Sequence, residues 1–191
     1  RQAVALHELS GGRMILGLGA GWTEQEHQRW GYDLGSKATR VARFEEGLQV
    51  ITSLLRSEEP VTFAGRFFQV QNAQLPQRPG NLPILIGGNG PQRMMPLVAR
   101  YGNIWNANNL SAATFKERSV LLDDLLRQVG RRPSDVKRTA FLPVFCGRNE
   151  DEIKQRLGAL YKSLPHLAAL PLQEQLSQME QIFTPIFERA G

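Results

Sequence analysis

Short apolar runs that end in glycine or asparagine recur along this chain with helix-length stretches between them, and that order constrains the fold more than any other feature. Arg13-Met14-Ile15-Leu16-Gly17-Leu18-Gly19 is nearly continuous in apolar character, as expected of a parallel-sheet strand buried on both faces. Pro83-Ile84-Leu85-Ile86-Gly87-Gly88 repeats the pattern, and Asn103-Ile104-Trp105-Asn106 repeats it in shorter form. A fourth strand is expected over 138–146, weakened in its middle by Pro143, which has no ladder donor. Between these runs, Val41, Phe44, Leu48, Ile51 and Leu55 recur in steps of three and four, which predicts a helix over 39–55 with one apolar stripe. Further helices are expected over 91–100 and over 111–129, the latter with Leu122, Leu125, Leu126 and Val129 on one face. Asn149 and Glu152 form a variant capping box that opens a helix toward residue 163, and 172–183 followed by Pro185 predicts the last. Strands and helices alternating in this way predict an α/β fold with a parallel sheet.

One connection breaks the regularity. Between Trp22 and Pro83 lie about sixty residues, more than a simple crossover needs, and Val61-Thr62-Phe63-Ala64-Gly65-Arg66-Phe67-Phe68-Gln69-Val70 within them reads as a small hairpin. Excursions from the C-terminal ends of strands are where α/β barrels build lids and substrate walls.

Composition narrows the function classes. Apolar residues make up 41% of the 191, and with 18 glycines this is the balance of a folded domain and excludes global disorder. No apolar run approaches the roughly 18 residues of a membrane span. Cys146 is the only cysteine, so no intrachain disulfide forms and the cytoplasm is the expected compartment; flanked by Val144 and Phe145, it is expected in the core. The net charge of +5 brings nucleic acid into consideration. Its densest source, Arg127, Arg131, Arg132, Lys137 and Arg138, is either a solvated face or an anion-binding patch, and a basic nucleic-acid-binding domain is the rival reading it supports.

Gly87-Gly88-Asn89-Gly90-Pro91 leaves a strand and enters a helix. Glycine lets backbone approach a ligand, free amides and the helix dipole favour an anion, and Pro91 suits a first helical position, with Arg93 adding charge in the first turn. A phosphate or carboxylate site and a plain tight turn are both open. Gly17-Leu18-Gly19-Ala20-Gly21-Trp22 fails the dinucleotide fingerprint because Trp22 stands where the third glycine belongs. Two readings fit it equally: a strand end kept bare for a flat ring, with Trp22 as a wall, or close packing against a helix. Glu24 and His27 have the spacing of half a metal site without a second copy, which favours a surface pair, and no metal is expected. No serine, histidine and acid set suggests hydrolysis, so a cofactor carrying the chemistry fits better.

These residues resemble the luciferase-like monooxygenase superfamily of flavin- and deazaflavin-dependent oxidoreductases. The resemblance rests on Leu9-Ser10-Gly11-Gly12-Arg13, on Gly17 to Trp22 with Glu26 following, and on Arg43-Phe44-Glu45-Glu46-Gly47-Leu48. The hairpin, Ile86-Gly87-Gly88-Asn89-Gly90-Pro91 and Trp105-Asn106 continue it in family order. It implies a (β/α)8 barrel with FMN or coenzyme F420 at the C-terminal strand ends, hydride or two-electron transfer at the ring, and a small organic substrate. Gly87, Gly88, Asn89 and Gly90 would hold the cofactor phosphate; Gly19, Ala20, Gly21 and Trp22 would border the ring, with Trp105 and Asn106 on the same rim. The Gly19 to Trp22 turn and the hairpin look closer to the F420 branch. The family's Asp-Gly before the tryptophan is replaced by Asn103-Ile104, which adds bulk and removes a carboxylate beside the expected pocket. Positions on the family's early strands have no counterpart here.

A full barrel takes about 250 residues. Residues 1–191 are therefore expected to be a partial barrel domain, strands four to seven, with 22–82 inserted between the fourth and fifth strands. Such a piece leaves two open sheet edges, which predicts marginal stability or dependence on a partner, or a catalytically silent fragment. The full-length protein is expected to form a homo-oligomer, with no nucleic-acid or membrane partner.

Overall fold

The computed structural model describes residues 1–142 and 146–161. Internal contacts divide the chain into two units, Arg1–Asn106 with Ser119–Thr139, and Ala107–Arg118 with the residues from Ala140 on. Every feature of the candidate site belongs to the first.

Four strands, β1 (Leu16–Leu18), β4 (Ile84–Gly87), β5 (Ile104–Asn108) and β6 (Lys137–Phe141), form one sheet in the order β1-β4-β5-β6. β1 pairs in parallel with β4, and β4 with β5, so the α/β architecture with a parallel sheet is observed. The expectation of a first strand buried on both faces is not met. β1 is an edge strand, and Ile15 beside it is 49% exposed because its face of the sheet carries no covering layer among the described residues. The fourth strand is observed over Lys137–Phe141, residues 143–145 of the expected strand lie outside the described residues, and Cys146, expected in the core, is exposed.

Helix α3 (Lys37–Arg56) covers the other face together with α4 (Met94–Tyr101) and α5 (Ala112–Gln128). Ser36 starts α3, its Oγ accepting from the Thr39 amide at 3.1 Å. The predicted stripe is seated on Leu48, which is fully buried beside Ile84, Ile86, Met95, Val98 and Trp105 in the core. Ser111 caps α5 in the same way, through the Thr114 amide at 2.9 Å. Leu122 and Leu126 are fully buried, whereas Val129, at the end of the expected stripe, lies beyond the helix and is exposed.

The excursion after β1 contains α2 (Glu24–Arg29) and an antiparallel hairpin of β2 (Val61–Ala64) and β3 (Gln69–Ala73), as the sequence suggested. Glu46 on α3 fastens the hairpin tip. Its carboxylate accepts from the backbone amides of Arg66 at 3.0 Å, Phe67 at 2.8 Å and Phe68 at 3.3 Å. Gly65 is required there, since a Cβ would collide with that carboxylate and with Phe63. Desolvation works against the Glu46 charge, but the three amides and nearby Arg66 outweigh it and hold the carboxyl below its ordinary value. Helix α6 (Glu150–Tyr161) opens with Asn149 Oδ1 accepting from the Glu152 amide at 3.0 Å. The Glu152 carboxylate turns to Arg148 instead of closing the box. The expected helix over 172–183 and the turn at Pro185 lie outside the described residues.

Candidate cofactor face

Parallel register sorts the strand residues onto two faces. Leu18, Ile86 and Trp105 share a rung and point one way; Gly17 with Leu85, and Gly87 with Asn106, point the other. The first face is packed under the helices. On the second, among the described residues, a Cβ at Gly19 or Gly87 would meet nothing within 4 Å, and one at Gly17 would meet only Leu85 Cδ2 at 4.0 Å. Crowding therefore does not explain these glycines. Of the two readings open for the Gly17 to Trp22 segment, close packing against a helix is not seen at Gly17 or Gly19 among the described residues.

Gly21 has a different reason to be glycine. Its φ of +79° disfavours any side chain, and a Cβ would sit 3.0 Å from His27 Nε2. Arg40 on α3 fixes this turn by donating from Nη1 to the Gly21 carbonyl at 3.0 Å. Ala20 faces inward beside Leu18, while Trp22 is 85% exposed. His27 directs Nδ1 to the Thr23 carbonyl at 2.8 Å, not to Glu24.

The loop after β4 is built on Gly88, whose φ of +122° is glycine territory and whose Cβ position lies 3.3 Å from Met94. The Gly88 carbonyl accepts from Trp105 Nε1 at 2.9 Å, and its amide donates to the Asn106 carbonyl at 3.4 Å. Trp105, expected on the rim, is fully buried on the helix-covered face, where it props the loop from behind. Bulk that large packs on the face where the helices lie. Asn106 does reach the open face, its Oδ1 held by Thr139 Oγ1 at 2.8 Å. Pro91 is not the first helical residue: residues 91–93 form a turn, Arg93 is the N-cap, and the Gly90 carbonyl accepts from both Met94 and Met95 amides at 3.0 Å. Pro96 explains the shift. A helix starting at Pro91 would need a donor at position 96, whereas in the first turn of α4 the missing N–H costs nothing.

Asn103-Ile104 lies at the opposite, N-terminal end of the strands. Asn103 Oδ1 accepts from the Ile84 amide at 3.0 Å and fastens β4 to β5, whereas Ile104, in register with Leu85, puts its added bulk on the same face as Gly17 and Gly87. The basic group is largely engaged internally. Arg127 pairs with Asp124 at 2.7 Å, Arg132 with Asp135 at 3.0 Å and Arg138 with Asp123, while Arg131 donates to the Ala99 carbonyl at 2.7 Å. These contacts engage four of the five basic residues of the group, and Arg127 and Arg132 remain largely exposed within their pairs.

The profile of the luciferase-like monooxygenase family matches residues 1–190. The chain belongs to this family. Among similar proteins, a phthiodiolone/phenolphthiodiolone dimycocerosates ketoreductase of Mycobacterium bovis is 32% identical over 166 residues, which is 81% of this chain and 41% of the relative. A 5,10-methylenetetrahydromethanopterin reductase of Archaeoglobus fulgidus is 27% identical over 149 residues, covering 78% of this chain and 43% of that one. In three dimensions, an F420-dependent secondary alcohol dehydrogenase in complex with an F420-acetone adduct superposes with a TM-score of 0.66 at 25% identity, covering 73% of this chain and 42% of that structure. This luciferase-like chain thus spans less than half the length of each of these three proteins.

Glycine spacing and Asn106 were visible in the sequence. Thr139, Arg40 and Glu46 were not singled out for their roles, and only Pro96 carried a readable signal, for where α4 begins.

Proposed function

We propose that the chain forms the cofactor-bearing part of a luciferase-like oxidoreductase, with coenzyme F420 or FMN laid on the open face of the sheet. The observation that carries this reading is the pair Gly19 and Gly87 at the C-terminal ends of adjoining strands, where no described residue comes within 4 Å of a Cβ position. In an α/β barrel that end carries the site, and the interior is otherwise filled with bulky side chains. The residues fit the group: Gly19 and Gly87 would leave room for a flat ring, Gly88 and Gly90 with Asn89 would hold its phosphate, and Asn106, in register with Gly87 on the same face, would border the ring. Bound there, a flavin or deazaflavin supplies two-electron chemistry, and the protein's part is to orient the ring against a small organic substrate and exclude water. Supporting this, similar proteins include an F420-dependent secondary alcohol dehydrogenase and a 4-hydroxyprotoasukamycin monooxygenase.

The four strands are the fourth to seventh of a (β/α)8 barrel, with 22–82 inserted after the first of them; the relatives' greater length supports that placement. The full-length protein is a cytoplasmic homo-oligomer. Among the described residues, no helix is long and apolar enough to cross a membrane.

Fluorescence titration of the full-length protein with FMN and with F420 tests the reading. Saturable binding of one of them is expected, abolished in Gly87→Leu, whose side chain occupies the face without touching the covered core. Binding of neither cofactor would overturn it.

A further inference from the structure

Thr139, on β6, holds the side chain of Asn106, on the neighbouring strand β5, by one end only. The threonine hydroxyl carries a single proton and has two acceptor oxygens within reach, Asn106 Oδ1 at 2.8 Å and the Trp105 carbonyl at 3.0 Å. The shorter separation is the ordinary length of an O–H···O bond, so the proton lies chiefly toward Oδ1, while the Trp105 carbonyl keeps the hydroxyl turned toward β5. Oδ1 is thereby occupied. Nδ2, at the other end of the carboxamide, has no partner among the described residues and is not sealed from solvent. Asn106 shares a rung and a face with Gly87, which places the free end of the carboxamide on the face proposed to carry the cofactor.

An asparagine beside a ligand is ambiguous by itself. Half a turn of the carboxamide exchanges a pair of donors for an acceptor, and the two ends have nearly the same shape. A neighbour that takes one end decides which the ligand meets. Resting on the cofactor reading of this face, we propose that Thr139 is a positioning residue: by donating to Oδ1 it orients the Asn106 carboxamide so that Nδ2 donates to a carbonyl-type acceptor on the cofactor ring. FMN and F420 share a ring edge with two carbonyl oxygens and one N–H, so a donor finds partners on either. Thr139 acts only through Asn106. Without its hydroxyl the carboxamide is free to turn Oδ1 toward the ring, an acceptor facing acceptors.

Fluorescence titration of the full-length protein with FMN and with F420 gives the first readout. For the cofactor that binds, Thr139→Val keeps the side-chain shape, removes the hydroxyl and should weaken binding about tenfold, the scale of one hydrogen bond. Thr139→Ser restores the hydroxyl and should bind as the unaltered protein does. Asn106→Ala should weaken binding by at least as much as Thr139→Val, and combining the two should change nothing further, a non-additivity that a general loosening of β6 would not produce. The second readout needs neither variant nor cofactor to begin. In the free full-length protein with isotope-labelled asparagine, both Asn106 Nδ2 protons should exchange rapidly with solvent, and adding the cofactor should slow one of them. Were the carboxamide turned the other way, Thr139 Oγ1 would already protect one proton in the free protein. Unchanged binding in Thr139→Val or Asn106→Ala, a loss that Thr139→Ser shares, a full further loss in the double variant, or a protected Asn106 proton before cofactor is added would each overturn the positioning role and leave the cofactor face standing. Binding of neither cofactor by the unaltered protein would overturn the face and the role together.

Discussion

The two faces of the sheet are made by the same strands and differ in where the volume goes. On the helix side, Ile84, Ile86 and Trp105 are 2%, 0% and 0% exposed. On the other, Gly17, Gly19 and Gly87 contribute no side chain, and Ile15 is half exposed. Hydrophobic burial holds the first face together, and the second is shaped by what has been left off it. Stability and binding should therefore separate by face. Trp105→Ala removes a buried ring and the donor to Gly88, and should cost about 3–5 kcal/mol, measured by urea denaturation of the full-length protein. Gly87→Leu should leave stability within about 1 kcal/mol while abolishing cofactor binding. A large stability loss at Gly87, or a small one at Trp105, breaks the comparison.

Gly88 joins the two faces, and its substitution should give an intermediate effect. An alanine there must hold a φ of +122° and press on Met94, which lies 3.3 Å from the Cβ position. The expected cost is about 1–3 kcal/mol. Because the loop belongs to the proposed phosphate site, cofactor affinity should fall with stability, whereas at Gly87 the two are uncoupled. Affinity that holds while stability falls would detach the loop from the cofactor.

This contrast also governs what could be read from residue order. Alternation and the 41–55 stripe suffice to predict a parallel sheet with α3 against it, because burial imposes those periods directly. The sidedness of Gly19 and Gly87 was open, since an empty position has the same letter whether a helix or a ligand lies above it. Trp105 misled for a related reason: an aromatic beside a motif suggests a rim, and only register shows which face it takes. Pro96 was legible but competed with Pro91 for the helix start. Bonds such as Arg40 to Gly21 and Glu46 to the hairpin join positions some 20 residues apart, with no local period to announce them.

The hairpin depends on charge more than on burial, so acid should affect it before the sheet. The Glu46 carboxyl is held below its ordinary value by three backbone amides. A carboxyl depressed in the folded state contributes stability above its unfolded pKa and loses it as pH falls through the folded value. Hydrogen exchange at the Arg66, Phe67 and Phe68 amides should therefore accelerate relative to the strand amides, after correction for intrinsic rates, as pH drops below about 4. In Glu46→Gln their protection should be low throughout and nearly independent of pH over that range. Equal pH response in both proteins would mean that the tip is held by Phe67 and Phe68 packing instead.

The smallest effect is expected at Asn103, at the far end of the strands from the site. Its Oδ1 accepts from the Ile84 amide at 3.0 Å, and its own amide donates to the Ile84 carbonyl at 2.8 Å. An aspartate, which the family pattern has here, keeps an acceptor oxygen in the same place and adds a charge at a half-buried position. The charge strengthens the bond to the amide and pays some desolvation, two terms of opposite sign and similar size. Asn103→Asp should shift stability by no more than about 0.5 kcal/mol and leave cofactor titration unchanged. Asn103→Leu keeps the bulk but strands the Ile84 amide, which should cost about 1–3 kcal/mol. A change in cofactor affinity in the aspartate variant, with stability intact, would show that the N-terminal end of these strands communicates with the open face.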